Sequence, residues 1–176
     1  MQRFQKALLV FVFLISINYS FMPVGKEKIN WISFSELQQQ YEKNPKPILV
    51  DLYTDWCGWC KEMDRTTYKH DQLAAYINEH YYAVKYNAEG RDSVFFNKMK
   101  YGYNQKFQTN DLAMFLTFGR LEYPTTVFLS SLDARPAPLS GYMKPKEMEA
   151  PLKYFAERNN FQETFIEFNK RMKKEW

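Results

Sequence analysis

Cys57 and Cys60 are the only thiols in this 176-residue chain, and they stand two residues apart in the stretch DWCGWCK, residues 55–61. A pair at this spacing can serve several chemistries. A structural zinc site needs four ligands, and the only histidines, His70 and His80, follow at spacings that match no finger pattern. Haem attachment needs a histidine directly after the second cysteine, where this chain has Lys61. An inert local disulfide and a redox-active pair remain. In the redox reading, Cys57 opens a helix whose free N–H groups and dipole favour a negative charge. A thiol so placed has its pKa drawn from about 8.5 to between roughly 3.5 and 7.5, and its thiolate can attack another disulfide. Cys60, one turn on and on the same face, can then resolve the mixed disulfide.

A C-x-x-C pair says little unless a strand, turn and helix hold it. The surrounding residues supply that pattern. PILVDLYT, residues 47–54, reads as a buried strand with one embedded charge, Asp51. A helix runs from Cys57 to about Thr66, and HDQLAAYINEH makes the next, with Leu73, Tyr76 and Ile77 on one face. YYAVKYN is a second buried strand, again with one internal charge, Lys85. Upstream, INWISF is a short strand, and Ser33 with Glu36 forms a capping-box pattern at the head of a helix that NPKP ends. Downstream, residues 88–109 read as irregular and rich in Phe, Tyr and Lys. NDLAMFLTFG is a helix that Asn110 caps and Gly119 ends. PTTVFLSS is a strand, LDARPAP a turn and LSGYM the last strand. The helix after Pro145 carries Met148, Leu152, Phe155 and Ala156 on one side. Asn160 and Glu163 open a final helix with Phe161, Phe165, Phe168 and Met172 in register, a stripe for docking on the core or on another subunit. Strands alternating with helices, then a hairpin and a helix, predict an α/β fold with a mixed central sheet.

The composition agrees with a single core-forming domain with attachments. Apolar residues make up 45% and aromatics 18%, so the core should be rich in Phe and Tyr. The formal charge is +4; setting aside Arg3 and Lys6 leaves only +2, too little to point to a nucleic-acid partner. Those two cations precede an apolar run from Ala7 to Ile17 broken only by Ser16. That run is shorter than the roughly 20 residues of a spanning helix and fits a secretory signal. Residues 1–22 are therefore expected to be a signal peptide, or an anchor through residues 7–21, placing the rest outside the cytosol. In an exported chain, structural cysteines staple distant segments; these two do not.

PILVDLYTDWCGWCK resembles the active-site segment of the thioredoxin superfamily: a hydrophobic strand with an embedded Asp, an acidic residue, Trp, then C-G-x-C-K. VKYN is similar to that family's next parallel strand, YPTTVFL to its cis-proline strand, and Gly141 to a glycine where the last strand meets the final helix. The resemblance runs in order from Ile29 to Asn159, with an insertion at about 88–109 and an added C-terminal helix over 160–176. Gly-Trp replaces the family's Gly-Pro between the cysteines, and the following helix lacks the family's kinking proline and should break near Thr66 and Thr67. CGWCKEMDRTTY is more similar to exported thioredoxin-like reductases than to cytosolic thioredoxin.

The resemblance implies a thioredoxin-like fold and an exported thiol-disulfide oxidoreductase, most simply a protein-disulfide reductase. The alternatives are an isomerase, an oxidase, or a non-catalytic module that holds a client. It implies that Cys57 attacks and Cys60 resolves, and that Asp51 accepts a proton from Cys60, against the plainer reading of a structural carboxylate paired with Lys85. Lys85 tunes Asp51; Trp56 and Trp59 flank the pair; Pro124, in a cis bond after Tyr123, presents the Tyr123 backbone to an extended substrate. No metal or nucleotide is implied, since the redox group is the cysteine pair. The implied partners are protein disulfides, with a membrane thiol reductase as a candidate electron donor. The insertion, with Phe95, Phe96, Tyr101, Tyr103 and Phe107 among Arg91, Lys98, Lys100 and Lys106, is expected to border the site, because it follows the carboxyl end of a parallel strand.

Overall fold

The computed structural model describes residues 27–157 and 163–176. The expected export segment at residues 1–22 lies outside them, as do Asn160 and Phe161 of the expected C-terminal helix. Strand β1 (Trp31–Ile32) leads into helix α1 (Phe34–Tyr41), capped at Ser33 by a reciprocal box with Glu36. Strand β2 (Ile48–Tyr53) is followed by α2 (Gly58–Arg65), a short 3-10 turn (Thr67–Lys69), α3 (Asp71–His80) and β3 (Tyr82–Asn87). The break after α2 falls where it was expected. The Thr66 hydroxyl turns back to the Glu62 carbonyl at 2.7 Å, and that of Thr67 reaches the Met143 carbonyl at 2.6 Å.

Residues 88–109 are not irregular. They form the hairpin β4 (Val94–Phe96)–β5 (Met99–Tyr101), and strand β6 (Tyr103–Asn104) pairs with β7 (Thr109–Asn110). Asn97 and Lys98, the two turn residues of the first hairpin, both take positive φ, the backbone a two-residue hairpin requires. Helix α4 (Asp111–Leu116) follows, capped by the Asn110 side chain. Then come β8 (Thr125–Leu129), β9 (Ala137–Ser140), α5 (Pro145–Glu157) and α6 (Phe165–Arg171). The last strand is thus APLS rather than LSGYM: Gly141, at φ +103°, turns the chain out of the sheet. The final helix is capped by Thr164, whose side chain and Glu167 form a second capping box, so Glu163, expected to help open it, lies just ahead of it. Within it Phe168 is buried and Phe165 is more exposed, and both rings meet Tyr154 of α5 edge to face, at 5.4 and 5.3 Å.

The five-stranded sheet runs β1-β3-β2-β8-β9, with β1, β3 and β2 parallel and β8 and β9 antiparallel to their neighbours. This is the thioredoxin-like α/β architecture that the sequence implied. β2 is central, and the pleat sends alternate side chains to opposite faces. Ile48, Val50 and Leu52 enter a core with Phe34, Leu37, Phe96, Leu112 and Leu116. Leu49 enters the other core, with Met63, Leu73, Ile77, Phe128, Met148 and Leu152. Asp51 shares the Leu49 face and is the one carboxylate on this strand.

A buried polar clasp closes the far side. Glu149 of α5 has no exposed surface. Its carboxylate accepts from Lys153 Nζ at 3.0 Å and from the backbone N–H of Glu175 and of Trp176 at 2.7 and 3.3 Å. Trp176 lies against Tyr76 of α3, with ring centroids 5.7 Å apart. Among the described residues no helix is long and apolar enough to cross a membrane.

Candidate active site

Cys57 caps α2, and its Sγ accepts the N–H of Cys60 at 3.0 Å. The two sulfurs are bonded to each other. The turn that delivers them is closed by the Cys57 N–H on the Thr54 carbonyl at 3.2 Å, directly after β2. Both cysteines are 4% exposed, so in the oxidised state burial does not separate the attacking sulfur from the resolving one. The Cys57 sulfur is turned inward by its bond to Cys60 and by the N–H it accepts.

Asp51 and Lys85 face each other across paired parallel strands at matched register. Lys85 Nζ lies 2.8 Å from Asp51 Oδ2 and also bonds Asp64 Oδ1. The ammonium is boxed by rings: its nitrogen is 4.9, 5.4 and 5.7 Å from the centroids of Tyr53, Trp31 and Tyr68. The Tyr68 hydroxyl donates to Asp51 Oδ1 at 3.2 Å. A cleft of about 570 Å3, lined in part by Trp31, Asp64, Tyr68 and Lys85, opens onto this cluster. Burial pushes the Asp51 carboxyl above its usual range, and the attraction of Lys85 offsets only part of that push. For Lys85 the order reverses: burial lowers its pKa, but Asp51 and Asp64 together hold it above the ordinary value. The Tyr68 phenol is pushed far up by burial and stays protonated.

Both tryptophans beside the pair are exposed, Trp56 at 68% and Trp59 at 63%. Trp56 donates its indole N–H to Glu89 Oε1 at 2.9 Å and meets Tyr123 edge to face at 6.0 Å. The Tyr123–Pro124 bond is cis. Trp59 goes to the other side and pairs with Tyr142, with centroids 5.4 Å apart. The structure therefore brings Cys57 with Cys60, Asp51 with Lys85, and Trp56 with Tyr123, and leaves Trp59 on a separate wall. Asp64, Tyr68, Glu89 and Tyr142 were missed by sequence reasoning. Asp64 stands one turn after Cys60 on α2, a helical spacing that could have found it; the other three are brought in only by the fold. Glu89 belongs to the insertion, which thus borders the site.

Among the described residues no three His, Cys, Asp or Glu side chains converge to hold a metal ion. What the arrangement can do is exchange two electrons and two protons through one S–S bond.

The family described as thioredoxin-like domain matches residues 34–156. A thiol:disulfide interchange protein DsbD from Campylobacter jejuni (strain RM1221) is 28% identical over 64 residues, covering 35% of this chain and 11% of that protein. The chain thus spans about a tenth of the curated relative it matches. Among solved structures, DsbH oxidoreductase superposes with a TM-score of 0.54 at 16% identity, covering 77% of this chain and 90% of the other. A thioredoxin-fold protein from Helicobacter pylori gives 0.55 at 19% identity over 73% of this chain and 80% of its own.

Proposed function

The chain belongs to the thioredoxin-like domain family, and from that premise we propose that it is an exported thiol-disulfide oxidoreductase that reduces disulfides in other proteins. The observation that carries the proposal is the Cys57–Cys60 bond closed over the first turn of α2. In the cycle, the Cys57 thiolate attacks one sulfur of the substrate disulfide, and that S–S bond breaks as the mixed disulfide forms. The Cys60 thiolate then attacks Cys57 Sγ and expels the second substrate thiol. The protein dithiol is oxidised, the substrate disulfide gains two electrons, and each released thiolate takes up one proton. A thiol reductase of the membrane returns the dithiol state. Export rests on the Arg3 and Lys6 start and the apolar run after it. The thiol:disulfide interchange named for the Campylobacter relative supports the same chemistry.

Two measurements test this reading. Reduced protein should turn over a protein disulfide such as insulin in the presence of a thiol donor. Equilibration with glutathione should place the Cys57–Cys60 couple below about −200 mV, on the reducing side of the range from roughly −270 mV for reductases to about −120 mV for a strong oxidant. A couple near the oxidising end would reverse the direction; no turnover at all would leave a client-holding module.

Within this cycle Asp51 receives the proton that Cys60 gives up on resolution, and Lys85, Asp64 and Tyr68 set its readiness to do so. Its raised pKa is what a group that must take up a proton near neutral pH requires. Asp51→Asn should slow release from the mixed disulfide by roughly a hundredfold, the low end for loss of a general base. It should also flatten the pH dependence of that step while leaving the attack by Cys57 nearly unchanged. An unaltered pH profile would assign Asp51 a structural role only.

A further inference from the structure

We propose that Trp59 and Tyr142 form a preorganised aromatic shelf that selects disulfides whose cysteine is flanked by an apolar side chain. The proposal rests on the oxidoreductase reading and adds a substrate preference to it. A shallow open depression beside the disulfide is lined by Gly58, Trp59, Glu62 and Tyr142. Gly58 follows Cys57 directly, so a polypeptide whose sulfur reaches Cys57 must lay a neighbouring residue near this depression.

Tyr142 is held from several directions. Gly141 takes φ +103°, which strongly favours glycine there, and its N–H donates to the Pro124 carbonyl at 2.7 Å. The next residue, Met143, gives its carbonyl to Thr67 at 2.6 Å. The Tyr142 hydroxyl lies 3.1 Å from Thr66 Oγ1; since the Thr66 hydrogen goes to the Glu62 carbonyl, Tyr142 is the donor of this pair. The ring is thus fixed before any substrate arrives, and a rigid ring binds at little cost in conformational entropy. Trp59, at 63% exposure, packs against Tyr142 with centroids 5.4 Å apart, so the two rings present one continuous apolar surface to whatever lies in the depression.

The rim favours an uncharged occupant. Arg65 grips Glu62 through two hydrogen bonds of 3.0 and 2.7 Å, so neither charge is free to attract a ligand ion. An acidic side chain in the depression would lose water against the two rings with no cation in the lining to compensate. The opposite wall differs: Trp56 carries a carboxylate beside its indole, Glu89, with no cation against it among the described residues, so that wall is polar at its edge. Selection therefore falls on the Tyr142 side.

The test uses three short peptides, each with one cysteine in mixed disulfide with thionitrobenzoate, and with Phe, Gly or Asp beside that cysteine. The reduced full chain is mixed with each. Cys57 attacks the peptide sulfur, thionitrobenzoate leaves and is read by its absorbance, and Cys60 then frees the peptide thiol. We expect kcat/KM for the Phe peptide to exceed that for the Asp peptide by about tenfold, the discrimination one partly covered apolar side chain supplies. Tyr142→Ala should bring the ratio close to one, and Tyr142→Phe, which keeps the ring, should restore it. Equal rates for the three peptides on the wild-type protein would overturn the shelf and leave the oxidoreductase reading standing. A ratio that survives Tyr142→Ala would overturn the role of Tyr142. Failure of all three peptides to react would overturn the underlying activity and the shelf with it.

Discussion

Replacing Cys57 by serine should abolish turnover of protein disulfides, with a loss of roughly a thousandfold or more, as expected when the group that makes the covalent bond is removed. A hydroxyl has no accessible anion near neutral pH, so the helix start at α2 has no nucleophile to favour. Cys60 does not substitute, because it lies inside α2 and not at its cap, where the free N–H groups favour an anion. The expected assay is insulin reduction with a thiol donor, read beside the circular dichroism of the variant. A folded Cys57→Ser protein that keeps its turnover would sink the assignment. Cys60→Ala serves as the contrast: it should still attack, then accumulate mixed disulfides.

A second large effect is expected far from the cysteines. Glu149→Ala should destabilise the domain by about 3 kcal/mol, the low end for breaking a buried ion pair. The substitution strands the Glu175 and Trp176 N–H groups and leaves Lys153 with Glu175 alone. For a chain of this size the melting temperature should fall by on the order of 10 °C. The sign of the pH effect follows from Glu149 itself. Burial pushes its carboxyl up, but the bonds from Lys153, Glu175 and Trp176 outweigh that push and hold it below the usual range. Its folded pKa is thus depressed, so its stabilisation is full above the unfolded value, near 4.5, and is lost as pH falls through the folded value. A Glu149→Gln protein should show a flatter acid limb in its unfolding profile. A melting temperature within experimental error of the wild type would refute the clasp.

What could be read from the residues was whatever depends on periodicity or on local hydrogen bonds. The buried strand ILVDLY, the caps at Ser33 and Asn110 and the stop after Arg65 each follow from a short window. Lys85 facing Asp51 came from the family resemblance, and the register of two parallel strands shows it. The misreadings have different causes. The hairpin at Asn97 and Lys98 lacks the glycine that usually announces positive φ, so β4 and β5 looked irregular. The true start of α6 was written in Thr164 and Glu167, but the Phe spacing drew the boundary earlier. Tyr68, Glu89 and Tyr142 reach the site from the 3-10 turn, the insertion and the segment after β9, and no local pattern links them to Cys57. Long-range pairing, unlike periodicity, leaves no mark in a single chain.

The insertion meets itself where it leaves the sheet. The Ala88 N–H donates to the Tyr53 carbonyl at 2.8 Å, and the Ala88 carbonyl accepts the Asn110 N–H at 2.7 Å and the Thr109 hydroxyl at 2.8 Å. Residues 89–109 therefore begin and end at one peptide group, at the mouth of β3. A segment pinned in this way is a cassette. Its closure costs only about 0.6 kcal/mol for each doubling of length, and that cost is met at its own neck. The neck is a port where chain can be exchanged, on one condition: Phe96, inside the cassette, is buried in the core that Ile48, Val50 and Leu52 of the Asp51 strand enter, so a substitute segment must bring an apolar side chain to that place. Glu89, the first residue inside the port, reaches back to Trp56, so only a replacement that begins beyond Glu89 keeps this handle on the active site.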